Sequence, residues 1–287
     1  MITIILAIVI AFIWGFSELY YKKTTNKYNS INILIYSYIF EIISCLLFVV
    51  IFDIGAFTRF NFRIYLFLAP IFIIYSFIGN ILYFHSIRNG NLSIVSPILA
   101  SDPVYVILIG LILFHEKLSL NFLVPLIIIC VSICALNFVS SDTKKKTKRI
   151  AILLASLYAF VVAISTTLEK SIYLSGFKIT DYYFHYIFLL IIMVIILLIY
   201  IKIKKIKLER IDKNLLLYNG LSRSGYFLYS YLLSTSYISI VSPLTGLYSV
   251  VTHVLATKIL KEKLSLKQEI CVFLIIISTI LLLIFSS

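Results

Sequence analysis

Glu18 follows Trp14 by four residues, a spacing that puts the chain's single Trp and a carboxylate on one helical face. An aromatic wall beside an acid can hold a cation through the ring quadrupole and the charge together. The plainer reading is an interfacial Trp anchor with Glu18 near the membrane edge. Asp102 precedes Pro103, and a proline within a helix removes a backbone hydrogen bond and clashes with the carbonyl of Leu99. A carboxylate at such a kink is the candidate coupling residue, for a proton or for substrate. The alternative is a structural kink, with Asp102 satisfied by Ser101 or by a neighbouring helix. Arg223 shares a face with Tyr226 and Ser230. Its guanidinium could grip a ligand carboxylate or pair with Asp102 or Glu18; snorkelling to the surface is the competing reading.

Two polar stripes accompany these charges. Ser76, Asn80 and Tyr83 fall at i, i+4 and i+7, and Thr245, Tyr248 and Thr252 at i, i+3 and i+7. Either stripe could line a polar cavity or join helices by hydrogen bonds. His185 and His253 have the titration range of a proton relay, though a lone His in a bundle is more often a packing residue. Glu41 also lies in an apolar run. Nothing catalytic stands beside these groups: the chain has no His-Glu-x-x-His, no Gly-x-Ser-x-Gly and no Walker-type loop. Enzymatic and ATP-driven readings therefore lack their chemistry, and no metal or cofactor is expected.

The elements that must position these residues follow from composition. The 287 residues are 62% hydrophobic and 13% charged, with a mean hydropathy of +1.08, against about 25% charged for a soluble chain. Spans of about 20 apolar residues are expected at 2–20, 32–52, 64–86, 92–114, 121–139, 150–169, 181–201, 214–234, 239–260 and 267–286. An ionisable group inside such a span costs about 2.5–3.5 kcal/mol on insertion scales, so it must face a wet cavity or the bundle interior. The net charge of +13 is carried by short breaks between the spans, a distribution that fits lipid headgroups and not nucleic acid. Cys45, Cys130, Cys134 and Cys271 all fall in apolar runs and read as small hydrophobes.

The chain also repeats itself. Ser93-Ile94-Val95-Ser96-Pro97 recurs as Ser239-Ile240-Val241-Ser242-Pro243, and Glu116-Lys117-Leu118-Ser119-Leu120 as Glu262-Lys263-Leu264-Ser265-Leu266, both at an offset of 146. Gly79 and Tyr83 pair with Gly225 and Tyr229 at that offset, and Ser17 and Lys22 with Ser165 and Lys170 at 148. Ten spans then divide into five and five, and an odd number makes the second half enter from the opposite side. The expected fold is an all-α integral membrane protein of ten transmembrane helices arranged as two inverted five-helix repeats. The first repeat is expected over 1–140 and the second over 150–287, with a basic linker at 141–149. Pro97 and Pro243 are expected to open their helices, where a missing N–H costs nothing.

Trp14-Gly15 followed by a Lys, the Ser-x-Val-x-Pro and Glu-Lys-Leu-Ser motifs, the span number and the duplication resemble the EamA-type branch of the drug/metabolite transporter superfamily. The resemblance covers essentially the whole chain. It implies a basket with a central cavity lined by spans 1, 3, 4, 6, 8 and 9, with Glu41 in a peripheral span. The second half departs from the pattern, with Val162-Ala163 in place of Trp-Gly. The function expected is secondary transport of a small polar metabolite by alternating access, first of all amino-acid or related efflux. The alternatives are a transporter of an organic cation (quaternary amine) held by Trp14 and Glu18, or a non-transporting membrane receptor or scaffold.

The expected partners are a small-molecule substrate, the bilayer of the plasma (inner) membrane, and a proton or counter-substrate, in a monomer or homodimer. Charge predicts the topology one way and the resemblance the other. Nineteen Lys and Arg fall on one set of alternate loops against five on the other, which by the positive-inside rule puts both termini outside. The resemblance implies both termini in the cytoplasm. An even number of spans leaves both on the same side in either case.

Overall fold

The computed structural model describes residues 2–114, 149–236 and 238–286, together with 121, 124, 125, 127, 128, 131, 132 and 135. Most of the fifth expected span, the basic linker as far as residue 148, Glu116 to Leu120, Cys130 and Cys134 lie outside the described residues. Within them every regular element is a helix, with no strand. Five helical segments are long and apolar enough to cross a membrane: Ile5–Thr25, Ser30–Phe52, Phe62–Asn89, Arg149–Leu174 and Ile179–Lys204. Helices satisfy every backbone polar group internally, which the hydrocarbon demands.

In chain order, α1 is Ile2–Thr25 and α2 is Ser30–Phe52. The next span is composite: α3 (Tyr65–Ile71) widens into a π-helical stretch, Phe72–Gly79, and resumes as α4 (Asn80–Asn89). Then come α5 (Leu92–Leu99), α6 (Asp102–Phe114), α7 (Arg149–Leu174), α8 (Ile179–Lys204), α9 (Lys213–Thr235), α10 (Ile238–Gly246), α11 (Tyr248–Ile259) and α12 (Leu266–Ser286). Short polar side chains set the helix starts. Asn29 accepts the Asn32 N–H at 2.8 Å to open α2, and Asp212 accepts that of Leu215 at 2.9 Å to open α9. Large apolar residues stay exposed on the outward faces, as Ile192, Ile195, Ile196 and Ile199 do along α8. Such a stripe suits lipid as its solvent.

The spans expected at 92–114 and 239–260 are each two helices. They break at Ala100-Ser101 and at Leu247, so that α6 begins at Asp102 and α11 at Tyr248, again 146 residues apart. This exchanges the roles expected of the prolines. Pro103 sits in the first turn of α6, where it costs nothing, while Pro97 lies inside α5. Pro243 likewise falls within α10 and not at its start. The N–H missing at Pro97 leaves the Ser93 carbonyl without its helical donor. His253 supplies a substitute, with Nδ1 3.2 Å from that oxygen. His185 is satisfied in the same way, its Nδ1 donating to the Asp181 carbonyl at 2.7 Å and Nε2 accepting the Asn61 N–H at 3.0 Å. Neither His lines the central cavity described below.

Paired contacts recur across the chain. The Lys22 ammonium donates to the carbonyls of Ile87 and Gly90, closing the end of α4. Lys170 donates to Leu233 at 2.7 Å and Ser236 at 2.9 Å, closing the end of α9. The four acceptors form two pairs separated by 146 residues. Free carbonyls at a helix C-terminus carry partial negative charge, and an ammonium satisfies both needs at once.

Outside the spans, Arg59 joins Asp53, at the end of α2, to Asp181, at the start of α8, with Nη2 contacts of 2.6 and 2.8 Å. The guanidinium holds the Asp53 carboxyl down at about 2. The Glu262 carboxylate accepts the N–H groups of Leu92 and Ser93, at 2.9 and 2.8 Å, together with the Ser93 hydroxyl at 2.6 Å. It thereby caps α5 from the far end of the chain. Cys45 and Cys271 are buried.

A candidate substrate cavity

A cavity of about 110 Å³ lies where α1, the composite α3–α4 span, the α5–α6 break, α7, α9 and the α10–α11 break converge. Its lining residues come from the six spans that the resemblance implied. Trp14, Glu18, Asn80, Tyr83, Asp102, Arg223, Tyr226, Thr245 and Tyr248 all face it. Ser76 and Thr252 do not. Ser76 is buried behind the wall, where its hydroxyl meets Tyr186 and its carbonyl accepts the Tyr38 hydroxyl. Those contacts serve the π-helical stretch, which turns Tyr75 into the cavity. Thr252 donates to the Tyr248 carbonyl at 3.0 Å.

Glu18 is buried, and its carboxylate accepts hydrogen bonds from the Ser96 hydroxyl and, at 3.3 Å, the Tyr83 hydroxyl. Asp102 opens α6 and accepts the Ser242 hydroxyl at 2.8 Å. The kink satisfier is therefore Ser242 from α10, not Ser101, whose hydroxyl donates to Ile98. The two Ser-Pro repeats thus deliver one hydroxyl to each cavity acid, from Ser96 and from Ser242. Among the described residues neither acid has a basic partner.

Arg223 pairs with neither of them. Its Nη1 meets the Glu41 carboxylate of α2, and its guanidinium stands 5.3 Å from the Tyr226 ring centroid. Both partners are largely buried, with side-chain exposures of 16% and 6%. From sequence Glu41 had no part, and Arg223 was open to gripping a ligand carboxylate, pairing with Asp102 or Glu18, or snorkelling; the structure gives it Glu41 as partner while its side chain still lines the cavity.

The walls are aromatic. Trp14 lies 5.3 Å from Tyr229 and 5.9 Å, edge on, from Tyr248, with Nε1 3.4 Å from the Ser222 carbonyl. Gly225 makes this possible: a Cβ there would sit 2.4 Å from Trp14 Nε1. Tyr75, Tyr83, Tyr158, Tyr218 and Tyr226 complete the wall. Sequence reasoning missed Tyr75, Tyr158 and Tyr218, because tyrosines abound in this chain and helix rotation is not readable from spacing.

Other missed residues had a usable signal in the duplication. The offset of 148 carries Trp14, Ser17 and Glu18 onto Val162, Ser165 and Thr166. The offset of 146 carries Asn80, Tyr83, Leu99 and Asp102 onto Tyr226, Tyr229, Thr245 and Tyr248. All of these line the cavity. Tyr229 donates to Thr166 at 3.3 Å, as Tyr83 does to Glu18. The two sides thus share positions but not charge, and both cavity carboxylates come from the first half.

A crystal structure of a protein superposes on this chain with a TM-score of 0.69, covering 97% of this chain and 95% of its own at 9% identity, a likeness of fold alone. An uncharacterized transporter of Archaeoglobus fulgidus is 30% identical over 90 residues, which is 31% of this chain and 32% of that protein. The chain thus matches about a third of that relative's length. The profile of the EamA-like transporter family matches residues 1–138 and 149–284. With a match of that extent, a helical fold of long apolar spans and a polar cavity at their centre, the chain belongs to the EamA-like transporter family, multi-pass proteins of the membrane.

Proposed function

We propose that this protein is a secondary transporter of a small organic cation. It works by alternating access between two inverted halves of five helices each, in the plasma membrane, and exchanges the cation for protons carried by Glu18 and Asp102. One observation carries the choice of substrate: the cavity holds two carboxylates whose partners are hydroxyls, while its guanidinium is already matched by Glu41. Buried carboxylates without cations favour whatever positive species can enter, proton or amine. The surrounding Trp14 and tyrosine faces attract a cation that carries no hydrogen-bond donors. Exchange then needs no further machinery, since amine and proton compete for the same two oxygen pairs. The hydroxyls of Ser96 and Ser242 lie on α5 and α10, the Pro-containing half-helices beside the two breaks. A change in carboxylate charge is thereby felt by the elements best placed to pivot.

Amino-acid efflux is the second reading, supported by the presence of Arg223 in the wall. It requires the substrate carboxylate to displace Glu41 or share its guanidinium. Calorimetry of the purified protein separates the two. Choline and tetramethylammonium should bind with proton release, and Asp102→Asn should reduce that release and flatten the pH dependence of uptake into proteoliposomes. Binding of neutral amino acids with no response to quaternary amines would overturn the cation reading. Silence across both classes, with no flux, would favour a receptor or scaffold.

A further inference from the structure

Glu169, on α7, is 2% exposed and lies outside the cavity lining. Its Oε1 accepts the hydroxyls of Tyr173 and Ser230, each at 2.7 Å, and its Oε2 accepts that of Tyr226 at 2.8 Å. Tyr183 donates in turn to Ser230 at 2.8 Å. The adjacent Lys170 spends its ammonium on the carbonyls at the end of α9, and among the described residues no base pairs with Glu169. Tyr226 is the only one of its three donors that also lines the cavity.

We infer that Glu169 is a further proton-binding site, reached from the cavity through the Tyr226 hydroxyl and separate from the two acids that meet the substrate. The inference rests on the cation-for-proton reading above.

The duplication argues that this cluster is not a requirement of the fold. At the corresponding offsets, Glu169, Tyr226 and Ser230 map onto Tyr21, Asn80 and Phe84. The first half therefore builds its own α1–α4 contact with a tyrosine, not an acid, at the position of Glu169. A carboxylate in hydrocarbon without a cation is costly, and gaining a proton is its ordinary relief. Transfer along Tyr226 balances: the phenol hydrogen passes to Oε2 as the phenol oxygen takes one from a hydronium in the cavity, which is left as water. The tyrosine is left unchanged and Glu169 neutral.

The groups facing Glu169 are Tyr173 on its own helix, Tyr226 and Tyr229 from α9, Tyr182 and Tyr183 from α8, and Tyr75 from the π-helical stretch. Arg223 lies beyond the Tyr226 ring, and Asp102 beyond Tyr229. A cation against Tyr226 repels a proton on Glu169's side of that ring and favours its departure. By reciprocity, protonation of Glu169 weakens cation binding.

The test counts protons. Calorimetric titration with tetramethylammonium in two buffers of different ionisation enthalpy gives the protons released per cation, and each proton exchanged adds a tenfold change in apparent Kd per pH unit. Glu169→Gln should still bind the cation but release about one proton fewer, with the pH slope of Kd reduced to match. In the native protein, infrared difference spectra across the titration should show a protonated-carboxyl band that this variant lacks. Release and slope equal to the native values would overturn the inference while leaving the cation reading standing; absence of tetramethylammonium binding by the native protein would overturn both. If Glu169→Gln does not fold, Tyr226→Phe keeps the ring and cuts the link. It should then keep the infrared band but lose its response to added cation, and a band that responds as in the native protein would refute the path.

Discussion

Replacement of Trp14 by alanine separates a cation site from a merely apolar one. A cation–π contact is worth about 0.5–1 kcal/mol at an exposed position and about 2 kcal/mol when desolvated. Trp14 stands inside the cavity with Tyr229 and Tyr248 against it, so the upper figure applies. At about 1.4 kcal/mol per tenfold, choline should bind about 30-fold more weakly to Trp14→Ala. The neutral isostere 3,3-dimethylbutan-1-ol has the same shape without the charge. It loses packing against the indole and the effect of the Nε1 contact to Ser222, but no cation–π attraction. The quantity to measure is therefore the ratio of the two losses, by titration calorimetry, with Trp14→Phe as an intermediate because it keeps a weaker ring. As the only tryptophan in the chain, Trp14 also gives a direct fluorescence signal of binding in the native protein. Equal losses for the charged and neutral ligands would refute the aromatic cation site and leave the two cavity carboxylates as the ground for choosing amines over amino acids.

Two other expectations concern charge that the cavity does not share with its substrate. Glu41→Gln and Arg223→Gln should each destabilise the protein by about 3–5 kcal/mol, because each leaves a buried charge unmatched, whereas the double variant should lie near the native value. Additive losses in thermal-inactivation measurements would mean that the pair does not act as a unit. At the membrane edge, Asp53 is held at about 2 by Arg59, below its ordinary value of 3.8. A depressed carboxyl stabilises the folded state above its unfolded pKa. The contribution should therefore be complete above about pH 4 and vanish as pH falls through about 2. Exposure keeps it small and salt-sensitive. Arg59→Ala should remove the pH dependence in that window, and an unchanged acid-unfolding profile would contradict the link between α2 and α8.

Much of this protein is legible in its residues alone. Apolar runs of about 20 residues have one stable conformation in hydrocarbon, so the helices at Ser30–Phe52, Arg149–Leu174 and Ile179–Lys204 follow from composition. An ionisable group in such a run must turn inward, and for that reason Glu18, Asp102 and Arg223 could be picked out before any helix was oriented. The pentapeptide repeats located the two Ser-Pro segments whose hydroxyls reach the acids. Tertiary structure decided what spacing cannot express. The partner of Arg223 is a carboxylate 182 residues away, on a helix that no spacing or motif would bring to the cavity. Asp102 and Ser242 meet across the two halves, and His253 replaces the donor that Pro97 lacks on another helix. The helix breaks exchanged the roles of Pro97 and Pro103. Glu169, near the end of its span by sequence, was drawn into the interior by three hydroxyls. Periodicity fixes which residues share a face; only packing fixes what that face meets, and in a low-dielectric interior the neighbour decides whether a charge is spent on the fold or left for a ligand.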